Sequence, residues 1–221
     1  MPTSCCRRLA ARHIRFFANA LYSGQGSYLS DQTSAGTPSI TYSVPTTVAD
    51  QRDLLVAATS GMAGNTAAAA PLSFAHALTA VRFTTGDDMM SGRIPKITLK
   101  GVYGSGSHTM GSDSCNGYGA PTAFSPTTAA TVDGPADQEN TPVAAPFMLL
   151  PQTLPSGASI EVVYTDDLTS TQRTLTASIA GSHWPMGRTV HYRISTSSIV
   201  ITTTFTVMAP ANFTYAGGRG T

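Results

Sequence analysis

The side chains able to do chemistry are few and scattered. The five histidines are His13, His76, His108, His183 and His191. None stands two or four residues from another, and none has a cysteine or carboxylate cluster at ligand spacing, so no metal-binding pattern emerges. His76 lies in an apolar stretch, where a hydrogen-bonded strand residue is expected rather than a ligand. His191 is expected to face solvent. The run Gly104-Ser105-Gly106-Ser107-His108 has the composition of a nucleophile loop. It lacks the strand-to-helix setting that exposes an attacking serine, and it reads as a flexible hairpin loop. Asp87-Asp88 and Asp166-Asp167 fall in turns, and adjacent side chains point apart, so neither pair is an acid–base couple. A calcium loop would need an Asp-x-Asp-x-Asp-Gly run, which is absent. No glycine pattern cradles a phosphate. The expectation is therefore no catalytic residue, no metal ligand, no cofactor and no enzyme. A hydrolase would require Ser, His and Asp side chains from distant segments to converge in one pocket.

One aromatic remains open to two readings. Trp184, the single tryptophan, lies in Gly181-Ser-His-Trp-Pro-Met-Gly187. It is expected to plug one end of the core, the alternative being a platform on which a sugar stacks. In that alternative the Gly104–Gly119 segment, with Tyr118, supplies further contact surface, and the chain is a carbohydrate- or matrix-binding module.

The elements that must position these residues are strands. Only 11% of the 221 residues are charged against 41% hydrophobic. Both figures exclude a wholly disordered chain, and the shortage of charge is made up by Ser, Thr, Gly, Ala and Pro, common on the solvent faces of exported β-proteins. A formal net charge of +1 provides no field to gather nucleic acid. No apolar run is long enough to span a bilayer. Cys5 and Cys6 are vicinal and Cys115 is remote, so no disulfide framework is implied.

Apolar residues recur with period two. Ile160, Val162 and Tyr164 share one face of a strand, Asp166-Asp167 mark a turn, and Leu175 to Ile179 returns as the second arm of a hairpin. Val190, Tyr192 and Ile194 point inward from a third strand, with His191 and Arg193 outward. Ile97 to Tyr103 is a fourth, and Leu54 to Ala58 reads as a strand buried on both faces. From Leu72 to Phe83 the apolar set changes phase: Leu72, Phe74 and Leu78 are even, Val81 and Phe83 odd. That predicts a bulge or kink near Thr79-Ala80, or a short helical turn. Gly104 to Pro146 reads as mostly loop with a short strand near Ala129 to Val132. Ile199 to Val207 reads as one more strand. Ile14-Arg15-Phe16-Phe17 reads as an interior strand of a longer protein in preference to a basic amphipathic helix. Many short strands imply an all-β sandwich, because each sheet must hide one face against another.

Several strand segments, in order, are similar to the fimbrillin family of type V pilus subunits. They are Asp53-Leu-Leu-Val-Ala57, Phe74-Ala-His-Ala-Leu-Thr-Ala-Val-Arg-Phe83, Ile97-Thr-Leu-Lys-Gly-Val-Tyr103, Phe147-Met-Leu-Leu-Pro-Gln-Thr-Leu-Pro155, Gly157-Ala-Ser-Ile-Glu-Val-Val-Tyr164 and Trp184-Pro-Met-Gly-Arg-Thr-Val-His-Tyr-Arg-Ile-Ser195. The resemblance runs from about Ile14 to about Phe205. It implies a transthyretin-like Greek-key β-sandwich, export as an outer-membrane lipoprotein, display in a fimbrium and a role in cell adhesion. It also implies loss of an N-terminal strand by proteolysis, then strand exchange in which a neighbour's strand fills the vacated groove. The implied partners are other pilus subunits and a host or bacterial surface ligand. The expected organisation is a non-native or truncated lead-in over 1–13, a fimbrillin N-terminal-type sandwich over 14–198 and a linker strand over 199–221 toward a missing second domain. Cys5 and Cys6 are not expected to be the lipidated cysteine. Arg7, Arg8, Arg12 and Arg15 suit an arginine-specific maturation protease by residue type alone.

Overall fold

A computed structural model describes residues 12–21, 29–32, 36–64, 67–86, 88–133, 142–195, 199–200 and 206–207. The protein is an all-β sandwich. Among the described residues there is no α-helix, and the one helical element is the 3-10 turn Val48–Asp50.

One five-stranded sheet is built on the long strand Gly92–Tyr103. Pro121–Phe124 and Thr127–Val132 pair with it on one side and Ser159–Asp166 on the other, and Gln172–Ser178 follows as the edge. A second sheet runs Phe147–Leu149, Thr79–Thr85, Arg188–Ile194, Ile199–Val200, with Thr206–Val207 also on the third strand. Its central pair, Thr79–Thr85 with Arg188–Ile194, is parallel. Side chains from both sheets enter one apolar cluster: Ile97, Leu99, Ile160, Val162 and Tyr164 from the first, Val81, Phe83, Phe147, Val190, Tyr192 and Ile194 from the second. All are at most 1% exposed. Phe83 stacks on Tyr192 and meets Phe147 edge-on, each at 5.6 Å between centroids. Smaller sheets close the flanks: Phe17–Leu21, Leu54–Ala58, Ala75–His76, and the set Cys115–Asn116, Ser105–Thr109, Ser39–Ser43, Leu29–Gln32.

The long strand keeps its apolar residues inward only by slipping phase twice. Against Ser159–Asp166 the register steps from Val163↔Lys96 to Thr165↔Arg93, which inserts one extra residue beside Pro95. Proline lacks the amide a regular ladder needs, so a bulge is where a strand tolerates it. Against Pro121–Phe124 the register steps from Thr122↔Val102 to Ala123↔Lys100, leaving Gly101 as the extra residue. Gly101 has φ +67°, the left-handed region open to glycine, and a Cβ there would lie 2.6 Å from the Gly157 carbonyl oxygen. Ile94, Ile97, Leu99 and Val102 all face the core as a result.

Much of the expected pattern is present. Ser159–Asp166 alternates strictly, and Leu54–Ala58 has its first four residues buried on both faces. The hairpin to Gln172–Ser178 forms with Ile160 opposite Ala177. Three expectations are corrected. The segment Leu72 to Phe83 is neither one bulged strand nor a helical turn, although the chain does bend at Leu78, beside the expected kink. It breaks at Ala77-Leu78 into Ala75–His76 and Thr79–Thr85, which join different sheets, and Leu72 and Phe74 stay 40% and 42% exposed. Changing sheets resolves the phase conflict without an extra residue. Gly104 to Pro146 holds more strand than expected: beside Thr127–Val132, which covers the expected short strand, Ser105–Thr109, Cys115–Asn116 and Pro121–Phe124 are strands. Backbone pairing there overrides a composition poor in β-branched apolar residues. His191 and Arg193 are half-buried, not solvent-facing. Ile14 and Phe16 are each 44% exposed, so their stretch of chain lies at the surface. Of Ile199 to Val207, the ends 199–200 and 206–207 pair with Arg188–Ile194 as expected, and 201–205 lie outside the described residues.

Two buried glutamines finish ladders that the backbone leaves open. Gln152 accepts from the Tyr103 amide at 2.8 Å and donates to the Tyr103 and Leu150 carbonyls, both at 3.1 Å. Gln51 accepts from the Met148 amide at 2.8 Å and donates to the Pro45 carbonyl at 3.0 Å. Each side chain does the work of a missing strand, because an unpaired buried amide costs about 1–3 kcal/mol. Gln152→Leu is therefore expected to destabilise the protein by about 1–3 kcal/mol, read as a lower urea midpoint at unchanged m-value.

Candidate assembly surface

The candidate reactive residues end up apart. His76, His108 and His183 sit in three different sheets. His76 is a hydrogen-bonded strand residue, its Nδ1 lying 2.5 Å from Asp53 Oδ2. Burial raises the Asp53 carboxyl above its ordinary range even against the pull of His76. His183 Nδ1 is 3.4 Å from the Thr153 hydroxyl at an exposed position. His108 is 3% exposed on a regular strand, which corrects the reading of Gly104 to His108 as a flexible loop. Burial holds its pKa below the ordinary histidine value, opposed by the nearby Ser114 carbonyl and the Asp113 charge. Among the described residues no three His, Cys, Asp or Glu side chains gather as metal ligands. None of the described helices is long and apolar enough to cross a membrane. Cys5, Cys6, Arg7 and Arg8 lie outside the described residues.

The sugar platform is overturned at Trp184. Its indole is fully buried, and Nε1 donates to the Tyr192 hydroxyl at 2.9 Å. Trp184 is the core plug that its position between strands suggested. Tyr118 is also engaged: its ring stacks on Tyr103 at 4.7 Å and its hydroxyl donates to the Pro151 carbonyl at 2.6 Å.

What the surface does offer is apolar area beside an open strand. A shallow cleft is lined by Ile14, Phe16, Met62, Ala63, Ala68 and Ala70. Its floor is laced by backbone bonds: the Gly64 amide donates to the Arg12 carbonyl at 2.8 Å and the Thr59 amide to the Phe16 carbonyl at 2.9 Å. The Phe16 amide donates to the Thr59 hydroxyl at 2.9 Å. Arg15 donates to the Thr59 carbonyl at 3.3 Å and lays its guanidinium 4.9 Å above the Phe17 ring. From Arg12 to Leu21 the chain therefore runs antiparallel to Leu54–Gly64. It is the more exposed partner of a strand buried on both faces.

The model of the fimbrillin-like family matches residues 22–209. The chain belongs to the fimbrillin-like family. No curated protein sequence matches it. Two solved structures share the fold. One is a candidate cell adhesion protein from Bacteroides ovatus, 22% identical, TM-score 0.52, covering 86% of this chain and 66% of its own. The other is a candidate cell adhesion protein from Bacteroides uniformis, 15% identical, TM-score 0.54, covering 90% of this chain and 74% of its own. The fimbrillin-like chain thus spans about two thirds of the length of the first.

A second exposed feature of this fimbrillin-like sandwich escaped the sequence reading. Leu168, at the tip of the Ser159–Asp166/Gln172–Ser178 hairpin, is 87% exposed. A lone leucine among Asp, Thr and Ser in a turn is the signal that would have found it. The turn is built rigidly: the Asp166 carboxylate accepts from the Leu168 amide at 2.8 Å and the Thr169 amide at 2.9 Å, and Ser170 adopts φ 54°. The Thr169 amide foremost, with the Leu168 amide, holds the Asp166 carboxyl below its ordinary value. A carboxyl with a lowered folded pKa stabilises above its unfolded pKa, and that stability is lost as pH falls through the folded value. The stability gap between wild type and Asp166→Ala is expected to be constant near neutrality. It should close as pH drops below about 4, where a free aspartate takes up its proton, measured by denaturant titration at successive pH values.

Proposed function

We propose that this chain is a structural or adhesive subunit of a bacterial surface pilus, not an enzyme, displayed at the outer membrane and joined to its neighbours by strand addition. The observation that carries the reading is the Arg12–Leu21 segment. It covers the edge of Leu54–Ala58, a strand with four buried residues in a row, while leaving Ile14 and Phe16 44% exposed. Were it withdrawn, a hydrogen-bonding edge flanked by apolar side chains would open, and an extended segment from a neighbour could fill it with the same main-chain bonds. Family membership and the fold shared with two candidate adhesion proteins support the reading. The low net charge suits it too, since at +1 long-range repulsion between subunits is weak.

The test is to insert a sequence-specific protease site between residues 22 and 28 and to cut the folded protein there. Release of the covering segment should convert monomers into a ladder of detergent-resistant oligomers, and an excess of synthetic peptide spanning residues 12–21 should suppress it. A cut chain that loses the segment yet stays folded and monomeric would refute strand addition at this edge.

A further inference from the structure

One buried histidine is used by nothing described so far. His108 lies directly opposite Cys115 in the antiparallel ladder between Ser105–Thr109 and Cys115–Asn116, so their side chains share a face. Met110 follows two residues after His108. The three are 3%, 8% and 3% exposed in the order His108, Cys115, Met110. Both ring nitrogens of His108 are buried, and with the Ser114 carbonyl merely nearby neither makes a hydrogen bond of proper geometry. Buried polar atoms are normally paired, and one left unpaired calls for a reason, a bound ion among them.

We propose that His108, Cys115 and Met110 form a binding site for a soft monovalent metal ion, Cu(I). The donor set is an imidazole, a thiolate and a thioether, the combination that selects Cu(I) over hard cations. Directly opposed residues on paired strands have Cβ atoms about 4.5–5.5 Å apart, which lets one donor from each strand reach a single ion between them. Charge decides against a divalent ion. A thiolate with a monovalent cation and a neutral imidazole is neutral overall and tolerable in an apolar core, whereas Zn(II) would leave a net positive charge there. Zn(II) also demands four ligands, and no further His, Cys, Asp or Glu cluster is present among the described residues. Binding forms a Cu–N bond to His108 and Cu–S bonds to the Cys115 thiolate and the Met110 thioether, and releases the Cys115 thiol proton to solvent, with no change of oxidation state. The ion enters past Gly111, Asp113 and Ser114, which are exposed at the tip of the same hairpin.

The experiment uses the full chain with Cys5→Ser and Cys6→Ser as parent, because vicinal thiols would bind Cu(I) themselves. The reduced parent is titrated anaerobically with Cu(I) against bicinchoninate, and the isolated complex is characterised by X-ray absorption. The parent should retain one Cu(I) with both nitrogen and sulfur in its shell. Cys115→Ser or His108→Leu should lose more than the roughly 10–100-fold in affinity that removing a supporting group costs a metal site. Met110→Leu should weaken retention without abolishing it. A parent that yields all Cu(I) to the chelator, a shell of sulfur alone, or a folded His108→Leu variant that binds as the parent does would overturn the site. If either ligand variant fails to fold, the parent's shell composition decides.

Discussion

Phase along the strand Gly92–Tyr103 is the constraint on which the rest of the sandwich depends. Side chains alternate every residue, so one uncorrected slip would turn the following apolar residues out to solvent. The strand is paired on both sides, so it cannot relax a mismatch by fraying. Its two extra residues, at Pro95 and at Gly101, return Ile97 and then Val102 to the core after each polar pair, Pro95-Lys96 and Lys100-Gly101. Gly92 serves the same strand by what it lacks. A Cβ there would fall 2.5 Å from the Tyr164 ring, whose hydroxyl hydrogen-bonds the Met90 and Ser91 carbonyls at 3.0 Å. The tyrosine closes that end of the core because the glycine makes room for it.

Around this frame, polar side chains do the specifying. Gln51 and Gln152 stand in for absent strands, Trp184 and Tyr192 satisfy each other in the core, and Thr79 donates to the Pro185 carbonyl at 2.7 Å. Apolar burial supplies most of the stabilisation but is indifferent to register, whereas a buried donor accepts only one geometry. Short strands that would be marginal alone, such as Phe147–Leu149 or Gln152–Thr153, are pinned this way.

The same economy shapes the surface. The edge strand Gln172–Ser178 carries Gln, Arg, Thr and Ser outward and so resists casual pairing. Large apolar side chains are exposed at Ile14 and Phe16 beside the Leu54–Ala58 edge, at Leu72, Phe74 and Met90, and most of all at Leu168 on a turn braced by Asp166. For a member of the fimbrillin-like family the distribution is coherent. The edge strand Gln172–Ser178 is polar, and the surface beside Leu54–Ala58 is apolar.

By itself the sequence determined the class of structure and most of its inward face. Period-two alternation in Ser159–Asp166 and Arg188–Ile194, and the continuous apolar run Leu54–Ala58, are local properties of a strand half or wholly buried, so they can be read one segment at a time. The ordered strand segments also carried the family. The absence of a repeated ligand spacing was likewise visible. What only the tertiary structure decided is pairing. That Ala75–His76 and Thr79–Thr85 part company, that Ser105–Thr109 is a strand despite its glycine and serines, and that His108 faces Cys115 across a ladder all depend on which backbones meet. Hydrogen bonds between segments far apart in the chain leave little trace in local composition. Their partners are chosen by the packing of the whole core.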